Sequence, residues 1–297
     1  MKNGKDSNMG QNISRVDSIV EDIIGNSEPL SFSGQYDFLA GAAIGDIIGS
    51  RYEFAPIKTP DFSYDWKKCD FTDDTVCTVA IADALLGEKS FVESLRSWCR
   101  KYPSPMGGYG GMFQDWLYQE NPAPYNSWGN GAAMRISAVG WAFDTMPETL
   151  KYAELATAIT HNHAEGIKGA QATAACIFLA RQGKDKSEIR DYVEQTFGYN
   201  LHRTCNEIRP HYTFDGSCQG TVPESVICFL ESADFEHAIR LAVSLGGDAD
   251  TMGAITGAIA EAYYREIPSE LISRARNILP PDLMEVLNRF YVRYLKK

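Results

Sequence analysis

The sequence predicts an all-α protein, a compact orthogonal multi-helix bundle. Three observations carry this reading. Apolar residues recur every three or four positions through eleven segments. The apolar–polar alternation of a half-buried strand is nearly absent. Alanine and glycine fill the longest apolar segments, 164–182 and 252–263, which suits helices packed closely at the centre of a bundle.

The segments follow one another along the chain. The first, DFLAGAAIGDIIGSRYEF (37–54), opens the body of the protein. TVCTVAIADALLG (75–87) ends at Gly87, and FVESLRSWCRKY (91–102) ends before Pro103. GAAMRISAVGWAF (131–143), LKYAELATAITHN (150–162) and GIKGAQATAACIFLARQG (166–183) form the middle of the chain. KSEIRDYVEQTFG (186–198), VPESVICFLESA (222–233) and FEHAIRLAVSLGG (235–247) continue the pattern. MGAITGAIAEAYYR (252–265) and DLMEVLNRFYVRYLKK (282–297) complete it. In the segment from 252, Gly253 and Gly257 stand one turn apart beside Ala254 and Ala258, a small-residue stripe that lets backbones approach. No internal linker or repeat divides 37–297, so this stretch reads as one domain. Residues 1–36 read as an extension. Its first dozen residues are polar, and Val16, Ile19, Val20, Ile23 and Ile24 then recur at the spacing of a short amphipathic helix.

Composition narrows the function. The 297 residues are 44% hydrophobic and 23% charged, with a net charge of −11. Such an acidic chain argues against nucleic-acid binding through a broad basic surface. The seven cysteines form no CxxC pair, and several lie in apolar helical runs, so a reduced cytoplasmic chain is expected. No apolar run has the length of a membrane span, and a monomer is the default expectation.

Two acidic turns stand out. Thr72, Asp73 and Asp74 precede the helix that begins near residue 75. Asp248, Asp250 and Thr251 precede the helix near 252. Either turn alone reads as helix capping, because carboxylates suit the positive end of a helix. Two such turns in one chain, both rich in hard oxygen donors, also fit a divalent cation, since clustered carboxylates repel unless a cation balances them. Glu53, at the end of the first segment, could join them as ligand or general base. Two glycine-rich stretches, one holding Gly107, Gly108, Gly110 and Gly111 and the other Ser127, Gly129, Asn130 and Gly131, could be plain turns or could cradle a phosphate. His161 and His163 read equally as loop or capping residues. His202, Cys205 and His211 permit zinc by residue type but lack a tight knuckle.

Taken together these stretches resemble the ADP-ribosylglycohydrolase family. The resemblance runs from GAAIGDIIGSRYEF (41–54) through FTDDTVCTVAIADALL (71–86), SWGNGAAMRISAVGWAF (127–143) and THNHAEGIKGAQATAA (160–175) to SLGGDADTMGAITGAIAEAYY (244–264). It covers nearly all of the body and omits 1–36. It implies an all-α fold around a binuclear magnesium site, with manganese as a substitute. Thr72, Asp73, Asp74, Asp248, Asp250 and Thr251 would be the ligands, with Asp250 bridging. Glu53, Asp73 or Asp74 would act as base. Gly107, Gly108, Gly110, Gly111, Ser127, Gly129, Asn130, Gly131 and His161 would line the ADP-ribose cleft. Trp128 stands where a tyrosine often stacks on adenine, and an indole keeps that stacking. The implied activity is removal of ADP-ribose from a modified acceptor, with arginine-linked protein favoured. Serine-linked, nucleic-acid-linked and O-acetyl-ADP-ribose are the alternatives.

Two readings compete. A non-catalytic ADP-ribose-binding protein would be favoured by loss of one of the four aspartates, and all four are present. A helical metal-dependent phosphohydrolase would carry an adjacent His-Asp pair, which does not occur.

Overall fold

The structure, a computed structural model, describes residues 36–87 and 89–296. The amphipathic helix expected around 16–24 lies outside the described residues. Fifteen helices and no strand are present among those described. In chain order they are α1 (Gly41–Ser50), α2 (Asp73–Leu86), α3 (Phe91–Lys101), α4 (Gly111–Tyr118) and α5 (Gly131–Met134). There follow α6 (Ser137–Ala142), α7 (Met146–Ala158), α8 (Ala164–Arg181), α9 (Lys186–Phe197) and α10 (Cys205–Ile208). The last are α11 (Cys218–Glu231), α12 (Phe235–Ser244), α13 (Ala249–Tyr264), α14 (Ser269–Ile278) and α15 (Pro281–Tyr294).

Side-chain caps fix many of the starts. Ser90 and Asp185 form capping boxes with Glu93 and Glu188, opening α3 and α9. Thr145 accepts from the N–H of Glu148 and starts α7 four residues before the periodicity does. Ser217 accepts from Gly220 N–H in the same way, so α11 begins at Cys218 and Pro223 lies inside the helix rather than at its start. The segment 131–143 is two helices, because Arg135 (φ −94°, ψ 0°) and Ile136 (φ −90°, ψ −1°), at the edge of the right-handed region, are too far from ideal helical values to carry the hydrogen-bond ladder between them. The apolar pattern did not reveal α4, α10 or α14. The first two are short, and α14 carries its amphipathic face among many charges.

The centre is the crossing of α1 and α13. Every residue of α1 is buried. Gly41, Gly45 and Gly49 on α1 meet Gly257, Gly253 and Ala249 on α13, backbone against backbone. A Cβ on Gly45 would stand 1.9 Å from the carbonyl oxygen of Gly253. The small-residue stripe of α13 therefore has a matching stripe on α1. Glu261, fully buried one turn further along α13, closes the contact. Its carboxylate accepts from the N–H groups of Ala40 (2.9 Å) and Gly41 (2.8 Å), which α1 would otherwise leave unpaired. Among the described residues no helix is long and apolar enough to cross a membrane.

Candidate active site

The α1–α13 crossing decides where the acids meet. Asp46 is on α1, Glu53 just beyond its end, and Asp248, Asp250 and Thr251 at the start of α13. The start of α2, with Thr72, Asp73 and Asp74, is brought against the same point. Carboxylate oxygens of Glu53, Asp248 and Asp250 lie within 4.8 Å of one another. Thr251 Oγ1 donates to Asp74 Oδ2 at 3.3 Å, which joins the two acidic turns directly. Asn130 Nδ2 donates to Asp248 Oδ2 at 2.7 Å and to Thr221 Oγ1 at 3.2 Å, fixing the outer edge of the cluster.

Asp46 is the member that sequence reasoning missed. It is wholly buried and accepts from the backbone N–H groups of Thr72 (3.0 Å) and Thr75 (3.1 Å) and from both their hydroxyls. It thereby holds the turn that presents Asp73 and Asp74. One signal was available: Asp46 is the single charged residue in GAAIGDIIGS, and a charge amid an apolar helix needs partners.

The cluster floors a cleft of about 370 Å³. Its walls include both glycine stretches, Ser127, Asn130 and His161, so every expected site residue lines it except Thr72 and Trp128. Thr72 lies wholly buried beneath the floor. Trp128 stands half exposed on the outer side of its loop, edge-on to His163 with ring centroids 5.5 Å apart. Isolated bridges hold both loops in place, Thr72 to Met106 ahead of the first and Gly129 to Ser217 within the second. Gly107 has φ +76°, and a Cβ there would come within 2.9 Å of Glu53 Oε2, so glycine suits both the turn and the close approach of that carboxylate. Arg135, Tyr125 and Phe214 also line the cleft. Arg135 and Tyr125 carry no motif of their own and were not foreseen, whereas Phe214 lies in RPHYTFDGSCQGTVPE (209–224), whose aromatic and polar residues suit a cleft wall or plain loop filling alike. His202 pairs with Glu194 instead of joining Cys205 and His211, and no zinc-like cluster forms among the described residues.

The electrostatics fit a cation. Burial, followed by the charge of Asp250, pushes Asp46 up to about 7 and Glu53 up to about 8. Asp74 and Asp248 are held well above the usual carboxylate range by the same two causes in the same order. Asp73 is raised too, by burial and then by the neighbouring Cys77 and Asp250. Asp74 Oδ1 and Glu53 Oε2 are buried without a hydrogen-bond partner among the described residues. Acceptor-only oxygens in this state call for a proton or a metal ion, and the donor set is all hard oxygen.

Fold and site thus define an all-helical enzyme with a carboxylate-rich, metal-competent cleft. The chain belongs to the ADP-ribosylglycohydrolase family, whose match spans residues 35–296. It is similar to the ADP-ribosylhydrolase ARH3 of Mus musculus, 26% identical over 76% of this chain and 82% of that protein. It is also similar to the ADP-ribosylarginine hydrolase Tri1 of Pseudomonas putida, 26% identical over 76% of this chain and 69% of that one. A solved chain of an ADP-ribosylglycohydrolase-related protein complex superposes with a TM-score of 0.64 at 25% identity, covering 86% of this chain and 95% of the other. The protein is a glycohydrolase of this family.

Proposed function

We propose that residues 37–297 form a magnesium-dependent hydrolase that releases ADP-ribose from arginine-linked mono-ADP-ribosylated protein. The observation that carries this is the opening of one cleft onto both the acidic cluster and the two glycine loops. A diphosphate suits the loops, and a sugar hydroxyl suits a cation at the floor.

Asp73, Asp74, Asp248 and Asp250 would hold two Mg²⁺, or Mn²⁺, with Thr72 and Thr251 supplying hydroxyl oxygens. Bound there, the cations supply Lewis acidity at the reacting ribose and make water a better nucleophile. The remaining work falls to the chain. The glycine loops and His161 bind the diphosphate end and orient the anomeric carbon toward the floor. Phe214, exposed and lining the cleft, offers a face for the base, and Trp128, on the outer side of its loop, would have to turn inward to offer another. Glu53 reaches between the cluster and Gly107 and is placed to take a proton from the attacking water at its carboxylate, with Asp73 or Asp74 as the other candidate base. Cations that balance Asp250 would remove one of the causes that hold the Glu53 proton at neutral pH. The water oxygen bonds the anomeric carbon as the C–N bond breaks, the guanidine leaves with that electron pair, and the proton taken from the water is returned to it to give guanidinium. The name of the Tri1 relative points to the same linkage.

The test is release of ADP-ribose from arginine-, serine- and nucleic-acid-linked substrates and from O-acetyl-ADP-ribose, with Mg²⁺ and with chelator. Mg²⁺-dependent release from the arginine conjugate is expected. Release from another conjugate alone overturns the linkage, and release from none overturns the hydrolase.

A further inference from the structure

In the cleft wall a guanidinium, a hydroxyl and an imidazole stand in line. Arg135 follows α5 directly, and its side chain is 1% exposed. No ion pair links it to a carboxylate among the described residues. Its terminal nitrogen lies 2.6 Å from Thr160 Oγ1. A guanidinium only donates, so Thr160 must accept there. The hydroxyl proton is left with His161 Nδ1 at 2.7 Å, the Thr157 carbonyl at 3.4 Å and the neighbouring Tyr125 hydroxyl as acceptors, and His161 Nδ1 is the close one. The shorter bond wins. His161 Nδ1 is then the acceptor, and the one proton of a neutral imidazole sits on Nε2.

The ring is kept neutral by burial and, secondarily, by the positive charge of Arg135, both of which push its pKa well below the usual range. Turning the ring over would set a carbon against Thr160 and forfeit the 2.7 Å bond. Nε2 makes no hydrogen bond to another described residue. It points between Gly129 and Gly131, where Cβ atoms would stand 3.5 and 3.3 Å away, and both glycines line the cleft.

We propose that Arg135 and Thr160 are positioning residues that fix the proton of His161 on Nε2, so that the imidazole donates a hydrogen bond to an oxygen of bound ADP-ribose. The opposite tautomer would aim a lone pair at that oxygen and repel it. The identity of the bound group rests on the function proposed above. The placement of the proton does not.

The experiment is nitrogen-15 NMR on protein carrying labelled histidine, read beside ADP-ribose affinity. The chain has five histidines, and His161→Asn identifies the signal. The expected spectrum of the unliganded protein shows a bare Nδ1 and a protonated Nε2 at His161. Thr160→Val is expected to move population toward the Nδ1-protonated form and to weaken ADP-ribose about tenfold, the loss of roughly one hydrogen bond. Thr160→Ser is expected to restore both. A wild-type His161 protonated on Nδ1, or a folded Thr160→Val that keeps both the Nε2 proton and the affinity, overturns the proposal. Should Thr160→Val fail to fold, the wild-type spectrum decides by itself, since it needs neither ligand nor variant. The expected tautomer in a protein that does not bind ADP-ribose overturns the functional reading and the donated bond while leaving the proton where the relay puts it.

Discussion

Asp46 lies beneath Thr72 and accepts from it twice, from the backbone N–H at 3.0 Å and from the hydroxyl at 2.8 Å. That second bond turns the hydroxyl proton of Thr72 downward and leaves its lone pairs for Asp74 N–H and for the floor of the cleft. Replacing Asp46 by Asn puts an N–H₂ group where an acceptor is needed. Outer supports of metal ligands commonly account for ten- to hundredfold in affinity. Asp46→Asn is therefore expected to weaken Mg²⁺ binding by about that factor in calorimetric titration while keeping its helical circular dichroism. Unchanged affinity would remove Asp46 from the construction of the centre.

Asp250 is the charge that its neighbours feel most after burial. Without a cation it opposes folding, and with one it binds. Asp250→Asn should raise the melting temperature of the metal-free protein by about 2–4 °C, abolish the further rise on adding Mg²⁺, and lower turnover at least about a hundredfold. A metal-free protein that melts lower than wild type would show that Asp250 is an ordinary stabilising residue.

Protons and cations compete for the same oxygens. Because Asp73, Asp74 and Asp248 have raised pKa values, they retain protons at pH values where an ordinary aspartate has lost them. Raising the pH removes the competitor, so apparent Mg²⁺ affinity should climb between pH 6 and 8.5, about tenfold per pH unit for each proton displaced. Titration in two buffers of different ionisation enthalpy counts the protons released. Binding without proton release would refute this account.

Glu261 gives stability its own pH dependence. Burial pushes its carboxyl up to about 7, so the folded chain holds that proton harder than the unfolded chain does. Its contribution is complete below about pH 4.5 and is lost as the pH rises to about 7, a change of about 3 kcal/mol. Glu261→Gln should flatten that part of the curve in urea unfolding. Below about pH 4.5 it should also be less stable than wild type by about 1–3 kcal/mol, since one amide oxygen cannot serve the N–H groups of both Ala40 and Gly41, and that gap should close as the pH rises past 7. A variant with the wild-type slope would place the proton elsewhere.

The helices with a continuous apolar face were legible from periodicity, and each acidic turn showed its own chemistry, but spacing could not show that the two turns meet, which only the family resemblance implied. Asp46 was not, since its meaning comes from Thr72 and Thr75, far along the chain and next to it only in the fold. Arg135 was hidden for a different reason. Inside GAAMRISAVGW it looks like the polar face of a helix, whereas the break after Met134 lets its side chain enter the interior. The stripe on α13 predicted a close neighbour but could not say that α1 was that neighbour.

The glycine crossing of α1 and α13 has a consequence in time. A ribosome that has delivered α1 and the Thr72–Asp74 turn has made only half of a centre, and the other half arrives with the last quarter of the chain. Until α13 has emerged and docked, Asp46 and Asp74 lack the acids that α13 brings. The nascent protein is chemically silent up to that moment, and its chemistry begins in the same step that closes its core.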